Sequence, residues 1–226
     1  MSTVLDIVQR PIHIAERKNH VLYTPARKVK IFNTKFKNKV KDLIATMHHE
    51  HGVGIAAPQV GWNEQVFVIE ASVDSSRYPL MRRYRQLKDV KQQIFINPKI
   101  TYVSKDYVDY WHGCLSAKGV DRGLVRTYKT LGFSAQNIEG HVFKGTLESL
   151  AAIIFQHEFR HLLGTLYCDH AKTFVSLDEM KTKVLGGELD LYKENAEGDV
   201  PYLLKDYKIG ETIEEYRERT NATDGT

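Results

Sequence analysis

No apolar run in this chain approaches the ~18 residues that a membrane-crossing helix requires, so the sequence offers no helical membrane span. The first ten residues carry charges but no apolar stretch ahead of a small-residue cleavage site, and they do not read as a secretory signal. Cysteine is scarce, with Cys114 and Cys168 alone. Nothing else marks a secreted chain, so two thiols give little basis for a disulfide. Internal repeats and long low-complexity stretches are absent. So are RNA-binding motifs and the interleaving of aromatic and basic residues that accompanies them.

What remains is an ordinary composition for a globular protein that dissolves in water, 42% hydrophobic and 27% charged over 226 residues. That length holds one full core without requiring two, and the expectation is a single domain over residues 1–226 with an acidic C-terminal extension from about 178. Residues 175–226 hold 13 acidic and 7 basic side chains, a balance of −6, so the body carries +10 within a net +4. A basic body suits a polyanionic neighbour such as the ribosome surface, although charge alone serves solubility equally well. The basic stretch 17–41 reads as a solvated surface in preference to an organelle transit segment.

Periodicity places the elements. Phe36, Val40, Leu43, Ile44 and Met47 recur at helical spacing, predicting an amphipathic helix over 35–49. Gly52, Gly54 and Pro58 then break it into a loop with a small apolar interior. Residues 65–70 and 93–96 are strand-like, with Asn97-Pro98 as a turn or edge position. The polar segment 75–91, with Arg82, Arg83 and Arg85, reads as a surface excursion. Residues 129–136 and 141–144 form a hairpin around Asn137-Ile138-Glu139-Gly140. Thr146 is the expected N-cap of a largely buried helix over 147–163, which Gly164 would stop. Farther on, 213–219 reads as helix and 221–226 as disordered.

Chemistry concentrates in His157-Glu158-Phe159-Arg160-His161. On a helix, positions i and i+4 share a face, so two imidazoles can reach one ion. Both histidines fall on the apolar face, where two buried rings without a common ligand would be costly to satisfy. Glu158 adjoins the first ring and can carry a proton from water to a leaving amine. A catalytic site needs a third protein ligand. Cys168, Asp169 and His170 follow the helix end too closely to fold back, whereas Cys114 lies upstream beside Gly113.

Three segments, in order, resemble the signature motifs of the peptide deformylase family. They are Gly52-Val53-Gly54-Ile55-Ala56-Ala57-Pro58-Gln59, Gly113-Cys114-Leu115-Ser116 and Gln156-His157-Glu158-Phe159-Arg160-His161. Residues 96–100 also look like a recurrent strand of that family, and the likeness spans roughly residues 21–170. The resemblance implies Cys114, His157 and His161 as ligands of one divalent ion, Fe²⁺ natively and replaceable by Zn²⁺, Ni²⁺ or Co²⁺. It implies Glu158 as acid/base, with the Gln59 amide and the Leu115 backbone N–H as an oxyanion hole. It further implies that Val53 and Gly54 hold an extended peptide by strand addition. An apolar pocket near Val53, Leu150, Ile153 and Ile154 would take the methionine side chain, although these residues also read as core edge. A thiolate-bound Fe²⁺ would make activity oxygen-sensitive.

The likeness breaks at charged positions. His112 stands where the family has Glu, and Arg160 where it has Asp. Arg122 is retained but lies one residue further from Cys114 than is usual, and Thr127 falls where a second Arg is common. His112, Arg122, Thr127 and Arg160 are expected to surround the ligands as one network that tunes them. His112 reads as a hydrogen-bonding neighbour more than as a competing ligand.

The expected fold is α+β, with antiparallel strands and hairpins packed around the central helix that carries His157 and His161. The expected reaction removes the formyl group from N-formylmethionyl peptides of newly made chains, with no role for DNA or membrane. The expected location is a bacterial or phage-type cytoplasm, with an organelle second. Two other readings stay open: an H-E-x-x-H metallopeptidase with Cys114 as a bystander, and a non-catalytic binder of nascent chains.

Overall fold

Alternation along the strands decides the architecture. In β2 (Val66–Ala71), Val66 and Val68 face one side while Phe67 and Ile69 face the other. Side chains in a strand alternate with period two, so this strand must be covered on both faces. The computed structural model, which describes residues 2–73, 79–194, 201 and 206–223 with side chains through 220, shows both covers. Val66 and Val68 meet Val40, Leu43 and Met47 of α1 (Thr34–His49), and Phe67 meets Phe155 of α2 (Ser149–Leu162) edge to face at 5.0 Å.

The sheet between those helices has five antiparallel strands in the order β1-β2-β3-β6-β7. Here β1 is Gly54–Ala56, β3 Val90–Val103, β6 Thr130–Gln136 and β7 Val142–Glu148. A second antiparallel sheet of four runs β8-β5-β4-β9. It is built from β4 (Tyr107–His112), β5 (Arg122–Tyr128), β8 (Phe174–Val175) and β9 (Tyr192–Glu194). Helix α2 packs on both sheets, so the expected α+β arrangement around a central helix is what the chain adopts.

Gln156 fixes α2 against the second sheet. Its side chain, fully buried, accepts from the Tyr128 N–H and donates to the Tyr128 carbonyl, both at 2.9 Å. A backbone pair that would otherwise be orphaned at the end of β5 is thereby satisfied.

Several local expectations are corrected. Thr146 is no N-cap: β6–β7 pairing continues to Thr130↔Glu148, and α2 starts at Ser149 in the left-handed region (φ 56°). Ladder hydrogen bonds outweighed the cap there. Asn97-Pro98 does not end a strand but sits in a bulge inside β3. Asn97 adopts φ 50° and exchanges two hydrogen bonds with the Val29 backbone, tying in the N-terminal segment.

The segment 75–91 is more than a surface excursion. Residues 74–78 lie outside the described set, but Leu80, Met81, Leu87 and Val90 are core residues. The acidic tail is likewise built in: β9 pairs with β4, and Tyr207 is buried against Phe159 at 5.0 Å. Helix α3 spans Leu177–Gly186, and α4 spans Ile213–Thr223. Residues 221–223, expected to be disordered, are therefore helical, and 224–226 lie outside the described residues.

Candidate metal centre

Two elements converge on one point beside the buried helix α2. The loop after β4 delivers Cys114, and α2 delivers His157 and His161 one turn apart. One ligand atom from each of these three residues lies within 4.8 Å of the others, and among the described residues no other such group of His, Cys, Asp or Glu exists. Cys114 Sγ is 3.2 Å from His161 Nε2. Cys168 and Asp169 are not among these donors, and Asp169 is paired to Arg17 at 2.9 Å.

His112 does not join the donors. Its Nδ1 lies 3.0 Å from Nδ1 of His157, with the rings stacked 5.3 Å apart. With His157 as the donor in that bond, its Nε2 lone pair is left for a cation, the arrangement by which neighbouring groups set the tautomer of a ligating histidine. Burial, aided by the Arg160 and Arg122 charges, lowers the His112 pKa to about 3 and holds it neutral. Burial likewise lowers His161 to about 3, with the Arg160 charge second, and pushes His157 well below its ordinary value. The Cys114 thiol is pushed far up, first by burial and then by the Glu158 charge.

A half-buried sulfur beside two neutral imidazoles fits a transition-metal ion, because a cation reverses the thiol's preference and coordinates the thiolate. Magnesium or calcium would call for oxygen ligands instead.

Arg122 lies over Gly113, where even a Cβ would collide with its guanidinium at 1.6 Å. Arg160 is fully buried on α2, close enough to bias all three imidazoles. Thr127 stands apart from His112, facing Val108 on the ladder, while Gly123 is the partner of His112. Of the expected four-membered network, His112, Arg122 and Arg160 lie beside the three donors, and Thr127 is four residues along β5 from the partner of His112.

The cleft beside the donors has a volume of about 420 Å³. Gln59 is held at its edge: Oε1 accepts from the Ala56 N–H at 2.8 Å, which aims Nε2 to within 3.4 Å of Cys114 Sγ. Among the described residues nothing accepts from the Leu115 N–H. Glu158 is 3% exposed, its Oε2 has no partner, and burial raises its pKa well above the carboxylate range. A side chain at Gly54 would come within 2.5 Å of Glu158 Oε1, so glycine there is what lets β1 approach the carboxylate.

Val53, Leu150, Ile153 and Ile154 line the same cleft. So do residues that sequence reasoning passed over: Leu80 and Met81, Trp111, and Met180 and Leu191 from the tail. No motif marks them. Gln156 opens the third motif, but its role in bridging α2 to β5 is invisible without the pairing partner.

A half-buried thiol and two neutral imidazoles, flanked by a desolvated carboxylate at the wall of an apolar cleft, define a metal-dependent hydrolase type of site. The model of the polypeptide deformylase family matches residues 11–176, and the chain belongs to that family. It is 39% identical to peptide deformylase 2 of Nostoc sp. over 134 residues, which is 59% of this chain and 70% of the relative. It is 32% identical to the chloroplastic/mitochondrial peptide deformylase 1B of Arabidopsis thaliana over 161 residues, 71% of this chain and 54% of that protein. Its fold superimposes on the Met-Ala-Ser-bound class I type b peptide deformylase of Acinetobacter baumannii with a TM-score of 0.65 and 26% identity, over 75% of this chain and 99% of the other. The basic stretch 17–41 falls inside the family match and contributes to the folded helix α1.

Proposed function

We propose that this chain hydrolyses the formyl amide of N-formylmethionyl peptides to formate and a free amino terminus. The observation that carries the reading is the gathering of Cys114 Sγ and the two imidazoles within 4.8 Å, with the Gln59 amide 3.4 Å from the sulfur. Cys114, His157 and His161 would hold one divalent ion, Fe²⁺ natively, with Zn²⁺, Ni²⁺ or Co²⁺ able to replace it. When bound, such an ion supplies Lewis acidity, which polarises a carbonyl and makes water a nucleophile near neutral pH.

Glu158 takes a proton from the attacking water and passes it to the amine nitrogen as the formyl C–N bond breaks. Its desolvated surroundings and unpartnered Oε2 suit a group that must both accept and return a proton. Gln59 Nε2 and the Leu115 N–H are two donors for the oxygen on which charge builds. Val53 and Gly54 receive the peptide backbone beside β1, the outer strand of its sheet. Leu150, Ile153 and Ile154 receive the first side chain.

His112, Arg122 and Arg160 tune the donors, His112 through His157 Nδ1. We read the chain as one domain, since Tyr207 and Ile213 of the tail belong to the same core cluster as Phe159 of α2. No helix among the described residues is long and apolar enough to cross a membrane. A bacterial or phage-type cytoplasm is the proposed location, with an organelle second, and the basic body suits the ribosome surface.

Metal analysis paired with formate release from formyl-Met-Ala-Ser tests the reading. We expect about one ion per chain and steady release. A fully metallated sample with no turnover would refute it, and metal retained after Cys114→Ser would favour a peptidase in which the thiol is a bystander.

A further inference from the structure

The family match ends at residue 176, yet the cleft does not. Part of its apolar wall is supplied by Met180 of α3, by Leu191 just before β9, and by Leu80 and Met81. All four are buried, at 3–8% exposure, and they share one apolar cluster with Leu150, Ile153 and Ile154.

The wall is held in place by its own contacts. Strand β8 pairs with β5 through Arg122↔Val175 and Gly123↔Phe174, directly beside His112, the partner of Gly123 on β4. Helix α3 begins two residues later, capped by Ser176, whose hydroxyl accepts from the Glu179 N–H. Met180 and Val184, one turn apart, are its buried face. The Leu191 N–H donates to Tyr84 Oη at 2.7 Å, and Trp111 Nε1 donates to the Asp190 carbonyl at 3.0 Å. Tyr84 and Tyr192 also meet edge to face. The tail and the 79–84 segment are therefore clasped to each other along this wall.

An apolar pocket discriminates by shape, and its selectivity follows the side chains that close it. We infer that Met180 and Leu191, with Leu80 and Met81, set the size of the first side chain this enzyme accepts. The tail after residue 176 is thus a specificity-determining part of the site. This inference rests on reading the cleft as the site for the formyl peptide.

The test uses the full-length, metal-loaded protein and four variants: Met180→Ala, Met180→Phe, Leu191→Ala and, as a control on the exposed side of α3, Leu185→Ala. Two preferences are measured. One is the ratio of kcat/KM for formyl-Phe-Ala-Ser over formyl-Met-Ala-Ser, and the other is the ratio of calorimetric affinities for Phe-Ala-Ser over Met-Ala-Ser.

Met180→Ala and Leu191→Ala should move both ratios toward phenylalanine by about tenfold or more, and Met180→Phe should move them the other way. Leu185→Ala should move neither. A role confined to packing would lower both substrates alike, so unchanged ratios in a protein that still releases formate overturn the inference. A shift of equal size in Leu185→Ala also overturns it, as general loosening of α3. If the wild type releases no formate but the affinity ratios shift with the stated signs, the wall assignment stands and the deformylase reading falls.

Discussion

One cleft has two unlike walls. The wall around Cys114, His157 and His161 is made of residues whose identity chemistry dictates. In the proposed reaction a thiol, two imidazoles, a carboxylate and a primary amide each have their own chemical task. The wall around Met180, Leu191, Leu80 and Met81 needs only apolar shape, which almost any segment can supply. Reaction geometry therefore leaves a pattern in the sequence, while selectivity can be assembled from segments that carry none.

That contrast can be broken most directly at Glu158. Glu158→Gln keeps the shape of the cleft and removes the proton carrier, so formate release should fall ~10²–10⁴-fold with metal content unchanged. Near-normal release in the glutamine variant would make the carboxylate incidental. Next in size is Gln156→Leu. It strips the Tyr128 N–H and carbonyl of their partners in the buried interior, at ~1–3 kcal/mol for each unpaired group. Melting should drop by several degrees while turnover per folded molecule at low temperature stays close to wild type; an unchanged melting curve would contradict the bridge.

His112→Ala removes the partner of His157 Nδ1. Metal affinity, read by competition with a chelator, should weaken ~10–100-fold. No change would mean that the stacked pair does not orient the ligand.

The smallest effect belongs to the strand that ties the tail to the second sheet. Hydrogen bonds from Tyr192 and then Lys129 lower the Glu194 pKa. A depressed carboxylate stabilises the fold above the ordinary glutamate range and loses that contribution as pH falls through the folded value. Glu194→Gln should melt slightly below wild type at neutral pH, and the gap should close on acidification. A gap that grows in acid would have the wrong sign.

How far the sequence could be read obeys the same division. The α1 stripe and the strand character of residues 65–70 are local patterns, legible in the residues themselves. The three donors are marked by H-E-x-x-H and a Gly-Cys pair. Features that stayed hidden depend on partners distant in sequence. Ladder pairing carried β7 past Thr146, and a bulge let β3 run through Asn97-Pro98. Leu80 and Met81 were obscured by the arginines that come after them, and burial of Tyr207 depends on Phe159, far upstream. His112 looks in the sequence like a loss of charge at the site, yet the structure sets it against His157.

Strand β1 is three buried residues long and borders its sheet. Main-chain hydrogen-bonding groups are the same in every polypeptide, so a docking edge of this kind reads a newcomer's backbone and is indifferent to the side chains beyond its first residue. An edge so brief, sunk beside a helix, also has no length on which foreign sheets could grow. If β1 receives peptide ends as proposed, the same shortness that suits it to many different chain ends keeps it from becoming a seed for aggregation.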